Sequence, residues 1–357
     1  MQALHVVTPS DPLTTVEMVG LLKITQQQLG GKQNILVIGD AAAVMRLRQS
    51  GLSILGSIDG KMNASKTLIS RFERVLNRGY SKGLTHIVGW GLSASSVVSR
   101  VTSELHKVAY VDGIDPKASL QSNDTLFIPT SGQGASCLRA MGIGEDWVSE
   151  PLVGVEPTPM IASQSFVRET LRIEGDPHVI AIVGGSSSAQ EILQMAFRIK
   201  TTGKNVIFVL PSDYVNQGEL IRVANQRDLD HLIFTTPPAL RAIDVIAYAD
   251  GVWVPNTTGV LSTNCVLEVL KVAWEGVPLA VQSTHPIRSV PMVGSSLAWA
   301  DDQLNVSTWI LESICGDAKR KGATELTAHV RSIAAPYRFV EGLQQRASIT
   351  HSLRSCC

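Results

Sequence analysis

The chain has 357 residues, too many for one ordinary core and enough for two domains. Hydrophobic residues make up 44% and charged ones 17%, which excludes a disordered chain. Lys plus Arg equals Asp plus Glu at 31 each, and no basic run interleaves with aromatics, so no overall pull toward nucleic acid or an anionic membrane is visible.

Short apolar runs alternate with amphipathic stretches, which predicts an α/β fold with parallel sheets. In the first half the expected strands are Leu4–Val7, Asn34–Ile38, Ile54–Ser57, Thr85–Val88, Val108–Val111 and Thr125–Ile128. Helices fit between them at Thr14–Leu29, Ala42–Gln49, Lys66–Gly79, Ser93–Leu105 and Ala135–Met141. The first helix carries Val16, Val19, Leu22 and Ile24 as a buried stripe. Composition shifts near Glu150, and the segment Val153–Met160 has two prolines and no helical period, as a linker would.

Beyond the linker comes a short helix at Gln164–Arg172, then a strand at Val179–Val183 breaking at Gly184-Gly185-Ser186-Ser187-Ser188. A helix at Ala189–Thr201, a strand at Asn205–Leu210, a helix at Gln217–Arg227 and a strand at Leu232–Thr235 follow. Next are a helix at Pro238–Tyr248, a strand at Gly251–Val254, a helix at Thr263–Glu275 and a strand at Leu279–Gln282. A strand at Ser295–Trp299 and helices at Ser307–Gly316 and Ala323–Gln344 complete the chain. The all-apolar strands ending in polar turns suit parallel sheets buried on both faces. At their carboxyl ends, main-chain N–H groups of turns and helix starts hold phosphate without a cationic side chain.

Four pieces resemble the GT-B glycosyltransferases, particularly the family 4 type. Leu152-Val-Gly-Val-Glu156 resembles the family's P-N-G-V-D linker, and Arg168 through Gly184 resembles its R-x-x-L entry into the donor domain. Ala239 through Pro255 is similar to the L-x-x-x-Y-x-x-A-D-V-F-V-L-P segment, and Trp274-Glu-Gly-Val-Pro-Leu-Ala-Val281 to A-x-G-V-P-V-V. The resemblance implies two Rossmann-like domains with parallel sheets facing across a cleft. Residues 1–152 form the acceptor domain, 161–334 the nucleotide-sugar domain, and 335–357 a helix crossing back to the first domain. It further implies transfer of a sugar from a nucleotide-diphosphate sugar to an acceptor, with retention, no metal and no cofactor besides that co-substrate.

The charged residues of the family pattern are absent. Where the family has an Arg and then a Lys facing the leaving diphosphate, this chain has Gly185 and Gln190. The family's paired glutamates fall on Thr263 and Lys271, and its N-domain histidines fall near Trp90 and Asp112. A leaving diphosphate needs donors, and losing one costs about a hundredfold in rate or more. The substitutes are the amides of Gly184, Gly185, Ser186 and Ser187, the turn at Asn256 and Thr257, the helix start at Thr263 and Asn264, and Glu268, Lys271 and Arg288. On the acceptor side the candidates are Thr8, Asp11, Trp90 as a stacking face, and Asp112. A degenerate GT-B protein that binds a ligand or partner without turnover is the second reading.

Rival motifs have plainer explanations. Gly89-Trp90-Gly91 followed by Asp112 approaches a dinucleotide fingerprint, yet a tight strand-to-helix turn explains it equally well. Gly91-Leu-Ser93-Ala-Ser95 lacks the closing Gly of a nucleophile elbow, and Ser93 reads as a helix N-cap. Lys271 beside Glu268 also reads as a surface pair. The histidines show no metal-ligand spacing, and the odd set Cys137, Cys265, Cys315, Cys356 and Cys357 suits a reducing compartment. No signal-peptide pattern or membrane-length apolar span appears, so a cytoplasmic protein is expected, with peripheral membrane contact left open and oligomeric state unread.

Overall fold

The structure is a computed structural model. It describes every residue outside 9–11, 40, 50, 60–64, 81, 113–119, 121–123, 158–161, 184–188, 212–213, 215–216, 238–239, 241, 256–265, 283–298, 301–305, 312–316 and 355–357. The chain divides into two compact units, Met1–Glu156 with Ile333–Cys357, and Pro157–Arg288 with Met292–Ser332.

In the first unit the apolar runs form β1 (Ala3–Val7), β2 (Gln33–Ile38), β3 (Ile54–Ile58), β4 (His86–Trp90), β5 (His106–Val111) and β6 (Thr125–Pro129). They make one six-stranded sheet in the order β3-β2-β1-β4-β5-β6. Every pairing is parallel. β1, β4 and β6 are buried along their whole length, as strands covered on both faces must be. The connecting helices are α1 (Pro12–Gln28), α2 (Ala41–Gln49), α3 (Lys66–Val75, prolonged by a π turn over Leu76–Tyr80), α4 (Leu92–Arg100) and α5 (Gly132–Ala140). α3 shows the local logic: Ser65 Oγ accepts from the Leu68 N–H at 3.2 Å, and Leu68 and Phe72 go inward.

Two expectations for α4 are corrected. Its N-cap is Gly91, at φ 82, rather than Ser93, and no side chain caps it. Only glycine adopts that left-handed turn without strain. The helix stops at Arg100 because Val101 turns extended (ψ 140) and the Thr102 N–H is taken by Glu73 Oε1 at 3.0 Å.

The single C-terminal helix expected over Ala323–Gln344 is two helices, α12 (Asp317–Ile333) and α13 (Pro336–Arg354). Pro336 has no N–H and its ring excludes the preceding turn, so it ends one helix and starts another. α13 packs on α1, β5 and β6. Phe339 lies edge-on to Tyr110, with ring centroids 5.3 Å apart. Arg346 Nε donates to the Glu150 carbonyl at 3.1 Å and Nη2 to the Pro151 carbonyl at 3.2 Å. The Val155 N–H donates to the Ala334 carbonyl at 2.9 Å, so the start of the expected linker is tied down on the first unit. Gly154 permits this closeness: a Cβ there would lie 2.7 Å from Phe339 Cβ and 2.8 Å from Leu21 Cδ2.

The second unit contains α6 (Gln164–Leu171), β7 (His178–Ile182), α7 (Ala189–Thr201), β8 (Val206–Leu210), α8 (Gln217–Gln226), β9 (Ile233–Thr235) and α9 (Ala242–Tyr248). These are followed by β10 (Gly251–Val254), α10 (Val266–Glu275), β11 (Leu279–Gln282), β12 (Trp299–Ala300) and a helical turn, α11, at 306–311. The sheet order is β12-β11-β10-β7-β8-β9, again all parallel. Counted along the chain within each unit, both sheets read 3-2-1-4-5-6, the Rossmann order. Ile180, Ile192, Met195, Phe208 and Trp253 fill the core on one face of this second sheet.

Candidate functional site

In the 3-2-1-4-5-6 order the chain leaves the first and fourth strands in opposite directions, which opens a crevice at their carboxyl ends. In the second unit those strands are β7 and β10. Trp253 pairs with Ile182, and the last bond between the strands runs from the Val183 N–H to the Trp253 carbonyl at 3.1 Å. The chain departing from β7 carries Gly184, Gly185, Ser186 and Ser187, and that departing from β10 carries Asn256, Thr257, Thr263 and Asn264. These residues, with Arg288 and the first unit's Asp11, lie outside the described residues, so the structure gives their points of attachment.

The β10 strand is fixed by polar bonds at its start. Asp250 Oδ2 accepts from the Val179 N–H at 2.8 Å, and the Asp250 N–H donates to the Val179 carbonyl at 2.8 Å. Arg168 secures the turn before β7, donating to Asp176 Oδ1 at 3.0 Å, to the Tyr248 hydroxyl at 3.0 Å and to the Gly175 carbonyl.

α10 follows the Asn256 segment and carries Glu268 and Lys271. Val266, Leu267, Val269, Leu270, Val272 and Ala273 are buried, leaving Lys271 at intermediate exposure. One turn further on, burial raises the Glu275 pKa, and the charges of Lys271 and Arg331 oppose that rise. Arg331 Nη2 also donates to the Trp274 carbonyl at 2.9 Å. Lys271 thus lies in the second half of α10, away from the end where a helix favours anions.

In the first unit, the register of β1, β4, β5 and β6 brings Thr8, Trp90, Asp112 and Thr130 to one carboxyl edge. Thr8 is buried there. Trp90 is not the expected stacking face. It is 2% exposed, its Nε1–H donates to His5 Nδ1 at 3.0 Å, and its ring packs against Tyr110 and Phe339. A side chain on β4 aimed between sheet and helices has no ring face left for a sugar. His5 Nε2 bonds Gln33 Oε1 at 2.9 Å, so with Nδ1 accepting from Trp90 the imidazole is the neutral Nε2–H tautomer. Burial holds its pKa down at about 4 despite the Gln33 bond.

Asp112 is buried, and one carboxylate oxygen accepts from the Thr130 hydroxyl at 2.6 Å. Sequence reasoning missed Thr130 and its buried neighbour Ser131. The signal available was the polar break straight after the apolar strand Leu126–Ile128. Elsewhere Asp228, Asp230 and His231 lie within metal-binding reach of one another, but all are exposed and Asp228 is held by Lys200 Nζ at 2.7 Å.

No family model matches the chain, and no curated protein matches it either. Solved structures do. A glycosyltransferase from Rickettsia africae matches at a TM-score of 0.72 and 11% identity, covering 98% of both chains. Anabaena HepE, solved with UDP and glucose, matches at 0.72 and 11%, covering 98% of this chain and 99% of its own. The chain has the GT-B fold. UDP-GlcNAc 2-epimerase from Neisseria meningitidis, solved with UDP-GlcNAc, shares it at a TM-score of 0.60 and 13% identity, over 97% of this chain and 99% of its own. GT-B proteins thus include more than one sugar-nucleotide chemistry, and the fold alone leaves the reaction to the residues. Among the described residues no helix of this GT-B chain is long and apolar enough to cross a membrane.

Proposed function

We propose that this protein is a glycosyltransferase that takes a sugar from a nucleotide-diphosphate sugar, with UDP as the first nucleotide to test. The observation that carries the reading is the crevice position of β7 and β10 in the second sheet. After these neighbouring strands the sequence runs into a Gly-Gly-Ser-Ser-Ser segment and an Asn-Thr-Thr segment, residue types whose main-chain amides and hydroxyls suit a pyrophosphate. Proteins of the same fold solved with UDP or UDP-sugars support the choice of ligand. Main-chain amides then do the work of the missing Arg and Lys. Glu268 serves the ribose, and Arg288 the diphosphate. The acceptor belongs to the first unit beside Asp112, whose carboxylate accepts a hydrogen bond from the Thr130 hydroxyl. Transfer proceeds with retention and without a metal, as the family resemblance implies.

The test is a panel of nucleotide sugars read for nucleoside diphosphate release and, in parallel, for an epimerised sugar nucleotide. Release that persists in EDTA is expected, with a product of unchanged anomeric configuration. Epimerised sugar without transfer would replace this reading.

The missing Arg, Lys and paired glutamates of the family pattern favour a second reading, a binding module without turnover. It predicts that UDP raises the melting temperature, as any ligand of the native state does, while no donor in the panel is consumed.

A further inference from the structure

The balanced charge of the chain conceals a strong local excess. Residues 32–82 hold nine basic residues against three acidic ones, in a chain with 31 of each. This stretch builds β2, α2, β3 and α3, the β3 edge of the first sheet. α3 sorts its residues by face: Leu68, Phe72 and Leu76 go inward, while Lys66, Arg71, Arg74 and Arg78 are exposed on the opposite side. Lys32, Arg48 and Lys82 are exposed as well. Among the described residues none of these seven side chains forms an ion pair with a carboxylate. The hydrogen bonds they donate go to main-chain carbonyls, from Lys32 to Lys82, Arg71 to Asp59 and Arg74 to Ser70. Glu73, the acid within α3, is turned to the Thr102 N–H.

Two large apolar side chains stand exposed in the same stretch, Met45 on α2 at 55% and Leu55 on the edge strand β3 at 45%. We propose that this cationic edge docks the protein on the anionic surface of a lipid bilayer. The arginines and lysines meet headgroup phosphates, and Met45 and Leu55 enter the headgroup–acyl boundary. Exposed aliphatic residues suit a bilayer better than a nucleic acid. A single strand would be held by exposed aromatic residues, and Phe72, the aromatic of α3, is buried. The inference stands apart from the sugar-transfer reading, because docking needs no turnover.

Cosedimentation of the full chain with vesicles tests it. Vesicles of phosphatidylcholine with about a third phosphatidylserine should bind the protein, and phosphatidylcholine alone should not. Each cation near such a surface contributes roughly a fivefold factor, so R71Q/R74Q/R78Q should weaken partitioning by roughly 100-fold at low salt. K66Q/K82Q, on the same exposed edge, should weaken it by roughly 25-fold and provides a second variant should the first fold poorly. M45S/L55S should weaken binding severalfold while leaving its salt dependence intact. Equal binding to neutral vesicles, or unchanged binding by both charge variants, overturns the proposal. Tighter binding to a single-stranded oligonucleotide than to anionic vesicles at the same salt overturns it in favour of a nucleic-acid partner.

Discussion

His5 shows how a polar side chain in the centre of a sheet remains uncharged. Its ring is fully buried, with Trp90 donating to one nitrogen and Gln33 accepting from the other. In the unfolded chain it takes up a proton near the ordinary histidine value of 6.5, and in the fold only near about 4. Between those values the unfolded state holds the extra proton, so stability falls as pH drops through this window and levels off below it. From about pH 7 to about pH 5 the loss should be about 2 kcal/mol, read from urea midpoints at each pH. H5N should flatten that slope, and an unchanged slope would assign the acid sensitivity to other groups. W90F leaves Nδ1 of His5 without its donor and should cost about 1–3 kcal/mol at neutral pH, checked by urea unfolding. Nothing in the sequence distinguished Trp90 in the core from Trp90 at a ligand surface. Both lie at a strand end, and only the docking of Phe339, far along the chain, decides between them.

At the scale of elements, the approach of α13 to α1 and to the segment Leu152–Glu156 depends on the absence of a side chain at Gly154. G154A should cost about 1–3 kcal/mol by overpacking against Phe339 and Leu21, and thermal denaturation would show it as a lower melting temperature. An unchanged melting temperature would mean that the helix yields freely. Most elements were legible because buried parallel strands are unbroken apolar runs bounded by Gly, Pro or polar turns. The pieces that resemble a family turn out to be structural fastenings. Gly154 permits close packing, Arg168 holds a turn, Asp250 joins β10 to β7, and Gly276 turns at φ 82 after α10. Such residues report architecture well and chemistry poorly, which is why the fold emerged from the sequence more fully than the site. Helical periodicity runs through Pro336 and so gives one helix over Ala323–Gln344, whereas the family resemblance already starts a separate helix at 335 and the proline itself is the physical sign of the break. The cationic face of α3 was missed for a related reason. Its charges are spaced at helical period, so they form no run along the chain, and counting net charge cancels them.

At the scale of the molecule, the first sheet has a face that its own half of the chain does not finish. α13 brings Phe339 onto Trp90 and Tyr110, and Arg346 onto the carbonyls of Glu150 and Pro151. Burying a Phe side chain contributes roughly 1.5–3 kcal/mol, and α13 also buries Val340, Leu343 and Ala347. A chain ending before Pro336 should therefore lose the cooperative unfolding of the first unit while the second still melts. Calorimetry of the truncated protein would decide it, two retained transitions counting against the dependence. The same closure orders events during synthesis. The strands of the first sheet leave the ribosome early, but the helix that covers their aromatic face follows only after residues 157–332. Trp90 and Tyr110 thus stay without their Phe339 contact until residues 157–332 have been made, so the first unit completes its packing only after the whole of the second has emerged.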